Sequence, residues 1–192
     1  MVEHEHEQHV EHVLAATQLW LEKAVIGLNL CPFAKAVYVK QQVHFVVSMA
    51  ANEAELLSEL QVELEALLSM DSQVRDTTLL IIPNRFNDFL DFNDFIGEAD
   101  ALLEEMDLGG VLQIASFHPQ FQFAGTDVSD VSNYTNRAPY PILHLLREAS
   151  VDRAVESCPE AEAIFEANMA TLEKLGHEGW AALGVGPSTE AQ

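Results

Sequence analysis

The stretch Gly109–Glu148, GGVLQIASFHPQFQFAGTDVSDVSNYTNRAPYPILHLLRE, decides how the middle of this chain folds. It begins with VLQIASF at 111–117, a short run of apolar and small residues that is typical of a buried strand. A long polar and aromatic loop follows and leads to Pro141. Proline is favoured in the first turn of a helix. The stretch therefore predicts a strand, a loop and a helix from Pro141 to Glu148.

Two more strands are predicted upstream of this stretch. VHFVV at 43–47 is β-branched and aromatic, and TTLLII at 77–82 reads as a fully buried strand that ends at Pro83. Helices are predicted between the strands, one capped by Asn52 and one over about 87–106. Strands separated by long helices indicate βαβ units. We expect an α/β fold with a three-strand, mainly parallel or mixed sheet and a βαβαβ core, flanked by N- and C-terminal helices; an α+β fold is the alternative.

The length of 192 residues fits one domain. Residues 10–183 are expected to form it, starting with an amphipathic helix and ending with a helix that Pro159 opens and Gly176 stops. The alternating Glu and His residues at 1–9 are expected to form a disordered or frayed tail, and 184–192 a second tail.

The charge is strongly acidic, with 9 Lys and Arg against 31 Asp and Glu, a net −22. This acidic charge excludes nucleic acid and anionic membrane surfaces as general partners, because both bind to positively charged protein surfaces. The N-terminus does not have the pattern of a signal peptide, so the expected location is cytoplasmic. The two cysteines, Cys31 and Cys158, are interpreted as free thiols.

Two windows, 23–42 and 131–147, contain no Asp or Glu. They hold five of the nine basic residues, Lys23, Lys35, Lys40, Arg137 and Arg147. If the windows meet in space, they form an anion-binding site for a small carboxylate or phosphate on an acidic body. The alternative is that they are simply the best-buried parts of the fold, where charges are rare.

Two residues are candidates for chemistry. His118 directly follows the third strand, where sites of α/β sheets gather, and could act as a general acid or base. Cys31 precedes Pro32 at the start of a predicted short helix, which would stabilise a nucleophilic thiolate. A hydrogen-bonded loop histidine and a small buried hydrophobe are the plainer alternatives.

The substrate-binding candidates lie in the second window. Asn136 and Arg137 precede the predicted helix and could cradle an anion, although turn formation also explains the asparagine. Tyr140, His144 and Arg147 have a 3–4 spacing that would place them on one helix face. No metal is assigned, because the spacing of His118, His144 and the loop aspartates matches no standard metal signature. The sequence contains no cofactor-binding motif, so the cofactor is unknown.

Three blocks resemble the signature of one bacterial family. They are NLCPFA at 29–34, FHP at 117–119 and NYTNRAPYPILHLLRE at 133–148. The family is typical of proteobacteria and is described only as a domain of unknown function. The resemblance implies a bacterial cytoplasmic protein and adds weight to Cys31, which lies in one of the blocks.

Three functions stay open at this point, and the sequence does not decide whether the protein is an enzyme. The first is a small-molecule enzyme that acts on an anionic substrate through the His, Cys and Arg residues above. The second is a non-catalytic ligand-binding or assembly protein, in which the aromatic loop after the third strand docks a partner or the second subunit of a homodimer. The third is a metal-dependent hydrolase.

Overall fold

The computed structural model describes residues 2–158 and 163–187, in which helices surround one four-stranded sheet. The strands are β1 (Val43–Val47), β2 (Thr77–Ile81), β3 (Leu112–Phe117) and β4 (Ile142–Arg147). The helices are α1 (Val2–Trp20), α2 (Ala34–Val39), α3 (Glu53–Ser69), α4 (Phe89–Glu105), α5 (Glu148–Glu156) and α6 (Ile164–Leu183). A π-helical turn, Leu21–Ile26, follows α1, and a 3-10 helix, Val131–Asn136, precedes β4. No helix of the described ranges is long and apolar enough to cross a bilayer.

The sheet is mixed, with the strand order β1-β2-β4-β3. β1 and β2 run parallel, whereas β4 is antiparallel to both of its neighbours. The expected mixed sheet with helices around it is confirmed, and the predicted strands over 43–47, 77–82 and 111–117 are all present. The sheet has one strand more than the sequence predicted.

The additional strand is β4, and the predicted helix from Pro141 to Glu148 is wrong. The segment ILHLLR is rich in leucine, a good helix former, but it is inserted between β2 and β3 and is paired on both sides. Ile142, Leu143 and Leu145 are completely buried there. Burial in a central strand outweighs local helix propensity because both faces of the strand pack against core.

Both faces of the sheet are covered, so the core has two halves. On one face, the leucine stripe of α3 and the phenylalanines of α4 pack against alternate residues of the strands, such as Leu80 and Leu143. On the other face, α1, the π-helical turn and α6 pack against the intervening residues, such as Leu79 and Ile142. Because successive side chains of a strand point to opposite faces of the sheet, β2 and β4 contribute residues to both halves of the core.

Both ends of the chain differ from the sequence-based expectation. Residues 2–9, expected to be a frayed tail, continue α1, which then widens into the π-helical turn. α6 does not stop at Gly176, which is a kink (φ 64°, ψ −178°) before the helix resumes and buries Trp180. Val185, in the predicted tail, is buried. Pro159 and residues 188–192 lie outside the described residues.

Candidate functional site

His118 is held inside the protein by bonds to both of its ring nitrogens. Nδ1 accepts the backbone N–H of Gln120 (3.0 Å), so the proton resides on Nε2, which donates to the carbonyl of Phe86 (2.8 Å). The ring lies beside Phe89 and Phe92, with centroid distances of 5.4 and 5.3 Å, and is 1% exposed. Burial lowers the pKa of His118 and favours the neutral ring. This geometry makes His118 a packing and positioning residue.

His144 lies on β4 rather than on a helix. Its Nε2 is 2.7 Å from Thr77 Oγ1, and that hydroxyl donates to the carbonyl of Leu145 (2.6 Å), so Nε2 is the donor to Thr77. Burial lowers the pKa of His144 to about 4. A strand places residues 144 and 147 on opposite faces, so the predicted common face of His144 and Arg147 does not form.

The side chain of Arg137 holds the loop after β3 in place. Its Nε donates to Phe121 O (3.2 Å) and its Nη2 to Val128 O (2.8 Å), while the guanidinium lies 5.0 Å from the ring centroid of Tyr134. Its own carbonyl accepts the indole N–H of Trp20 (2.9 Å). Two of its donor atoms are therefore engaged with backbone carbonyls.

The other predicted anion-binding residues also make structural contacts. Arg147 Nη2 donates to the carbonyls of Met70 (2.7 Å) and Arg75 (3.0 Å), next to the C-terminal end of α3. Asn136 Nδ2 donates to Ser116 O (3.0 Å) at the edge of β3. Tyr140 is buried in the core half on the α1 and α6 face.

Cys31 and His118 do not share a cleft. Cys31 is a free, partly buried thiol that packs on the face of α1 and α6, whereas His118 packs against α4 on the opposite face. The backbone around Cys31 is fixed by Val25 O, which accepts the N–H of Leu30 (2.9 Å), and by Asn168 Nδ2, which donates to Leu30 O (2.8 Å). The sheet lies between the two residues that the sequence suggested as catalytic partners.

The acid-free windows have a structural explanation. Lys23 Nζ donates to Leu183 O (3.2 Å), the last residue of α6, just as Arg147 bonds beside the end of α3. Cations are favoured at helix C-termini, where unpaired carbonyls and the negative end of the helix dipole lie. Three of the five basic residues in these windows thus bond to carbonyls, and a nearby carboxylate would compete for them.

A concave site exists elsewhere, at the carboxyl ends of the parallel strands β1 and β2. It is a cavity of about 520 Å³ between the loop after β2 and the N-terminal ends of α3 and α4. Its walls are formed by Glu53, Asn84, Arg85, Phe86, Asn87, Asp88, Asp91, Asp94, Phe95 and Glu98. We call it the acidic pocket, because five of these ten residues are carboxylates and one is a cation.

Helix α4 supplies three of the five carboxylates, and its N-cap Asp88 is a fourth. Asp91, Asp94 and Glu98 follow a 3–4 spacing, which puts them on one side of the helix. Like charges at this spacing repel one another and destabilise the helix by a few tenths of a kcal/mol per pair, so a bound cation would relieve them. Asp88 is the N-cap, and its Oδ1 accepts the N–H of Leu90 (2.7 Å). The described residues include no group of three Asp, Glu, His or Cys that could hold a metal ion.

Arg85 and Phe86 form the opposite wall. Arg85 Nη1 donates to Ala51 O (2.9 Å), and Nη2 lies 3.4 Å from Glu53 Oε1. Its Nε is buried and has no hydrogen-bond partner in the described part of the chain. Phe86 adopts a left-handed backbone (φ 58°), which costs a bulky residue about 1–3 kcal/mol. Such strain persists only where the surroundings enforce it, here the bond from His118 and ring contacts with Phe92 and Phe95.

The sequence reasoning missed this pocket. It sought a positive site and assigned no role to the acids at 91, 94 and 98. The signal that could have found it was the acidic segment at 88–98, which follows the loop after a buried strand, because ligands of α/β sheets bind near the carboxyl ends of strands.

Comparison with known proteins gives a family and no closer relative. No curated protein and no solved structure matches the chain. The profile of one family covers residues 12–182, which include the pocket, most of both core halves and all three sequence blocks. The chain belongs to this family, described as "Protein of unknown function (DUF1415)".

Proposed function

We propose that the protein is a non-catalytic binding protein for a small organic polycation, which it takes up in the acidic pocket. The observation that carries the proposal is the cavity of about 520 Å³ lined by five carboxylates and a single arginine. Pockets for small molecules have volumes of about 300–1,000 Å³, so a linear di- or triamine fits this one.

The charge of the pocket favours a cation over the small anion that the sequence suggested. Arg85 is its only cation, and Glu53 lies beside it. Asp91, Asp94 and Glu98 carry no ion pair with any residue that the structure describes. A net charge of −22 adds a long-range field that attracts cations and repels anions.

The shape of the pocket favours an elongated ligand with separated charges. Asp91 and Glu98 are seven residues apart on α4, which corresponds to about 10 Å along a helix. Amino groups at two or three points along a flexible chain can pair with carboxylates at this spacing. Phe86 and Phe95 line the pocket but are only 9% and 2% exposed, so they add little apolar surface for the ligand.

Three of the residues that an enzyme of the expected kind would use, His118, Arg137 and Arg147, are engaged in the fold. His118 has partners on both nitrogens, and Arg137 and Arg147 donate to backbone carbonyls. The aromatic loop expected to dock a partner also packs internally, since Phe121 contacts both Phe89 and Phe123. These contacts support a binding function in the acidic pocket over the other functions that the sequence left open.

The test is isothermal titration calorimetry with spermidine, a linear triamine, and with inorganic phosphate as the anionic probe. We expect 1:1 binding of spermidine and none of phosphate. The variant Asp91→Asn/Asp94→Asn/Glu98→Gln should weaken spermidine binding by at least about tenfold, or 1.4 kcal/mol.

The matched control removes three charges from α4 outside the pocket, in Asp100→Asn/Glu104→Gln/Glu105→Gln. It should bind spermidine within about twofold of the wild type, a difference of roughly 0.4 kcal/mol. Equal weakening in both variants would mean that the amine responds only to net charge, and the proposal would be wrong. Tight phosphate binding would overturn it in favour of the anionic ligand.

A further inference from the structure

We propose that the open edge of β1, together with the groove beside it, binds an extended peptide segment of a partner protein that carries alternating apolar and basic side chains. The surface consists of the outer edge of Val43–Val47 and a groove between β1 and α3. We call it the β1 edge groove. It is separate from the acidic pocket, and its own observations carry the proposal.

β1 is an outer strand with unpaired backbone groups. Gln42 O accepts the N–H of Thr77 (3.3 Å), and Ser48 N–H donates to Ile81 O (2.8 Å), so the even-numbered positions bond to β2. Backbone direction alternates along a strand, so Val43, Phe45 and Val47 present their N–H and C=O groups to the open side. Within 2–158 and 163–187, no residue hydrogen-bonds to these groups.

The opposite edge of the sheet is partly closed by the protein itself. Asn136 Nδ2 donates to the carbonyl of Ser116 in β3, and the N–H of His118 bonds back to Asn136 O (3.1 Å). The loop after β3 therefore occupies the edge where a further strand would add. The loop contacts the β3 edge at Ser116 and His118, whereas no described residue bonds to the outward groups of Val43, Phe45 and Val47.

β1 also lacks the residues with which natural proteins protect an open edge. Lysine, proline or a bulge commonly blocks pairing with another chain. VHFVV contains neither lysine nor proline, and its five residues keep an unbroken register with β2. An edge of this kind is suited to strand addition, in which main-chain bonds give affinity and side-chain pockets give specificity.

The groove beside the edge is apolar where a partner side chain would lie. It is a concavity of about 390 Å³ formed by Val46, Val47, Met49, Ser58, Glu59, Val62 and Glu63. Val62 is 60% exposed and Met49 37% exposed, so apolar surface lies open next to the strand edge. Covering this surface would provide the hydrophobic part of binding.

The charge of the groove specifies a basic partner. Glu63 is paired with Arg75, but Glu59 has a buried Oε2 that no described residue contacts through a hydrogen bond. A lysine or arginine of the partner would supply the missing donor. A second copy of this chain is disfavoured, because each copy has a charge of −22 and its own edge strand contains no Lys or Arg.

The probe is a fluorescein-labelled hexapeptide of alternating valine and lysine, tested by fluorescence anisotropy and by amide hydrogen exchange. We expect saturable binding and slower exchange of the Val43, Phe45 and Val47 amides. Glu59→Gln should weaken binding about tenfold, the low end for loss of a hydrogen bond to a charged group. The control Glu65→Gln, on the same helix but outside the groove, should leave binding unchanged.

A second variant tests the strand edge. Val47→Pro removes an outward N–H without removing a bond to β2. We expect this variant to abolish the slowing of amide exchange that the peptide causes at the edge. Glu59→Gln, which keeps the fold intact, serves as the comparison. Sedimentation equilibrium should give a monomer. Three results would overturn the proposal: no saturable binding, equal weakening by Glu59→Gln and Glu65→Gln, or a dimer whose interface protects β1.

Discussion

His118 Nε2 donates to the carbonyl of Phe86 at 2.8 Å, and Phe86 is the left-handed residue that forms one wall of the acidic pocket. The histidine that the sequence marks as an acid or base thus positions the backbone of a strained pocket wall. The contact joins the loop after β2 to the end of β3, across 32 positions of the chain.

We expect His118→Leu to lower the free energy of unfolding at pH 7 by about 1–3 kcal/mol, because it leaves a buried carbonyl without its donor. It should also weaken spermidine binding, since the wall formed by Phe86 relaxes. Urea denaturation and calorimetry measure the two effects. The exposed His9→Leu serves as the control, and unchanged stability of the His118 variant would contradict the positioning role.

The pH dependence of stability should depend on His144. Its pKa is about 4 in the folded protein and 6.5 in the unfolded chain, so the unfolded chain binds the proton first as the pH falls. The contribution of His144 to the free energy of unfolding is complete above pH 6.5 and is lost as the pH falls towards 4. The unfolding free energy changes by at most about 1.4 kcal/mol per pH unit in this range. The lowered pKa of His118 acts in the same direction.

The variant His144→Gln keeps a donor for Thr77 but does not titrate. Its unfolding free energy, measured by urea denaturation from pH 7 to 4, should therefore fall less steeply than that of the wild type. Parallel curves would show that His144 is protonated equally in both states, against the effect of burial on its pKa.

Arg137→Ala should destabilise the protein by about 1–3 kcal/mol and leave spermidine binding unchanged, because its guanidinium bonds to loop carbonyls rather than to a ligand. Denaturation and limited proteolysis of the loop at 118–136 measure the loss of anchoring. A variant of normal stability that has lost affinity for a small anion would instead restore the anion-binding role expected from the sequence.

Gly27 follows the π-helical turn and has no room for a side chain. A Cβ there would lie 2.3 Å from the carbonyl oxygen of Lys23. Gly27→Ala should lower the unfolding free energy by about 1–3 kcal/mol, the range for overpacking. The matched control is Gly97→Ala on α4, where a Cβ meets no atom within 4 Å and the helix should be stabilised. Equal effects of the two substitutions would contradict this steric account.

The sequence predicts elements well where the pattern is local. The leucine stripe of α3 and the buried run of β2 need only their own residues to be recognised. β4 was missed because its strand conformation comes from two neighbouring strands, which outweigh the helix propensity of ILHLLR.

The roles of single side chains were predictable only in part. The sequence suggested His118, Arg137 and Arg147 as site residues, but their partners are carbonyls of distant segments, such as Phe86 for His118 and Met70 for Arg147. A sequence does not reveal which backbone groups lack partners after folding. The basic residues of the acid-free windows donate to carbonyls of this kind. The sequence therefore did not reveal why the windows contain no acids.

The most direct test of the central claim is the mapping of spermidine binding by amide chemical shifts in 1H–15N spectra. The predicted result is saturable shifts concentrated at residues 84–98 and at Glu53, the walls of the acidic pocket. Shifts confined to residues 118–147, or spread evenly over the acidic surface without saturation, would contradict it.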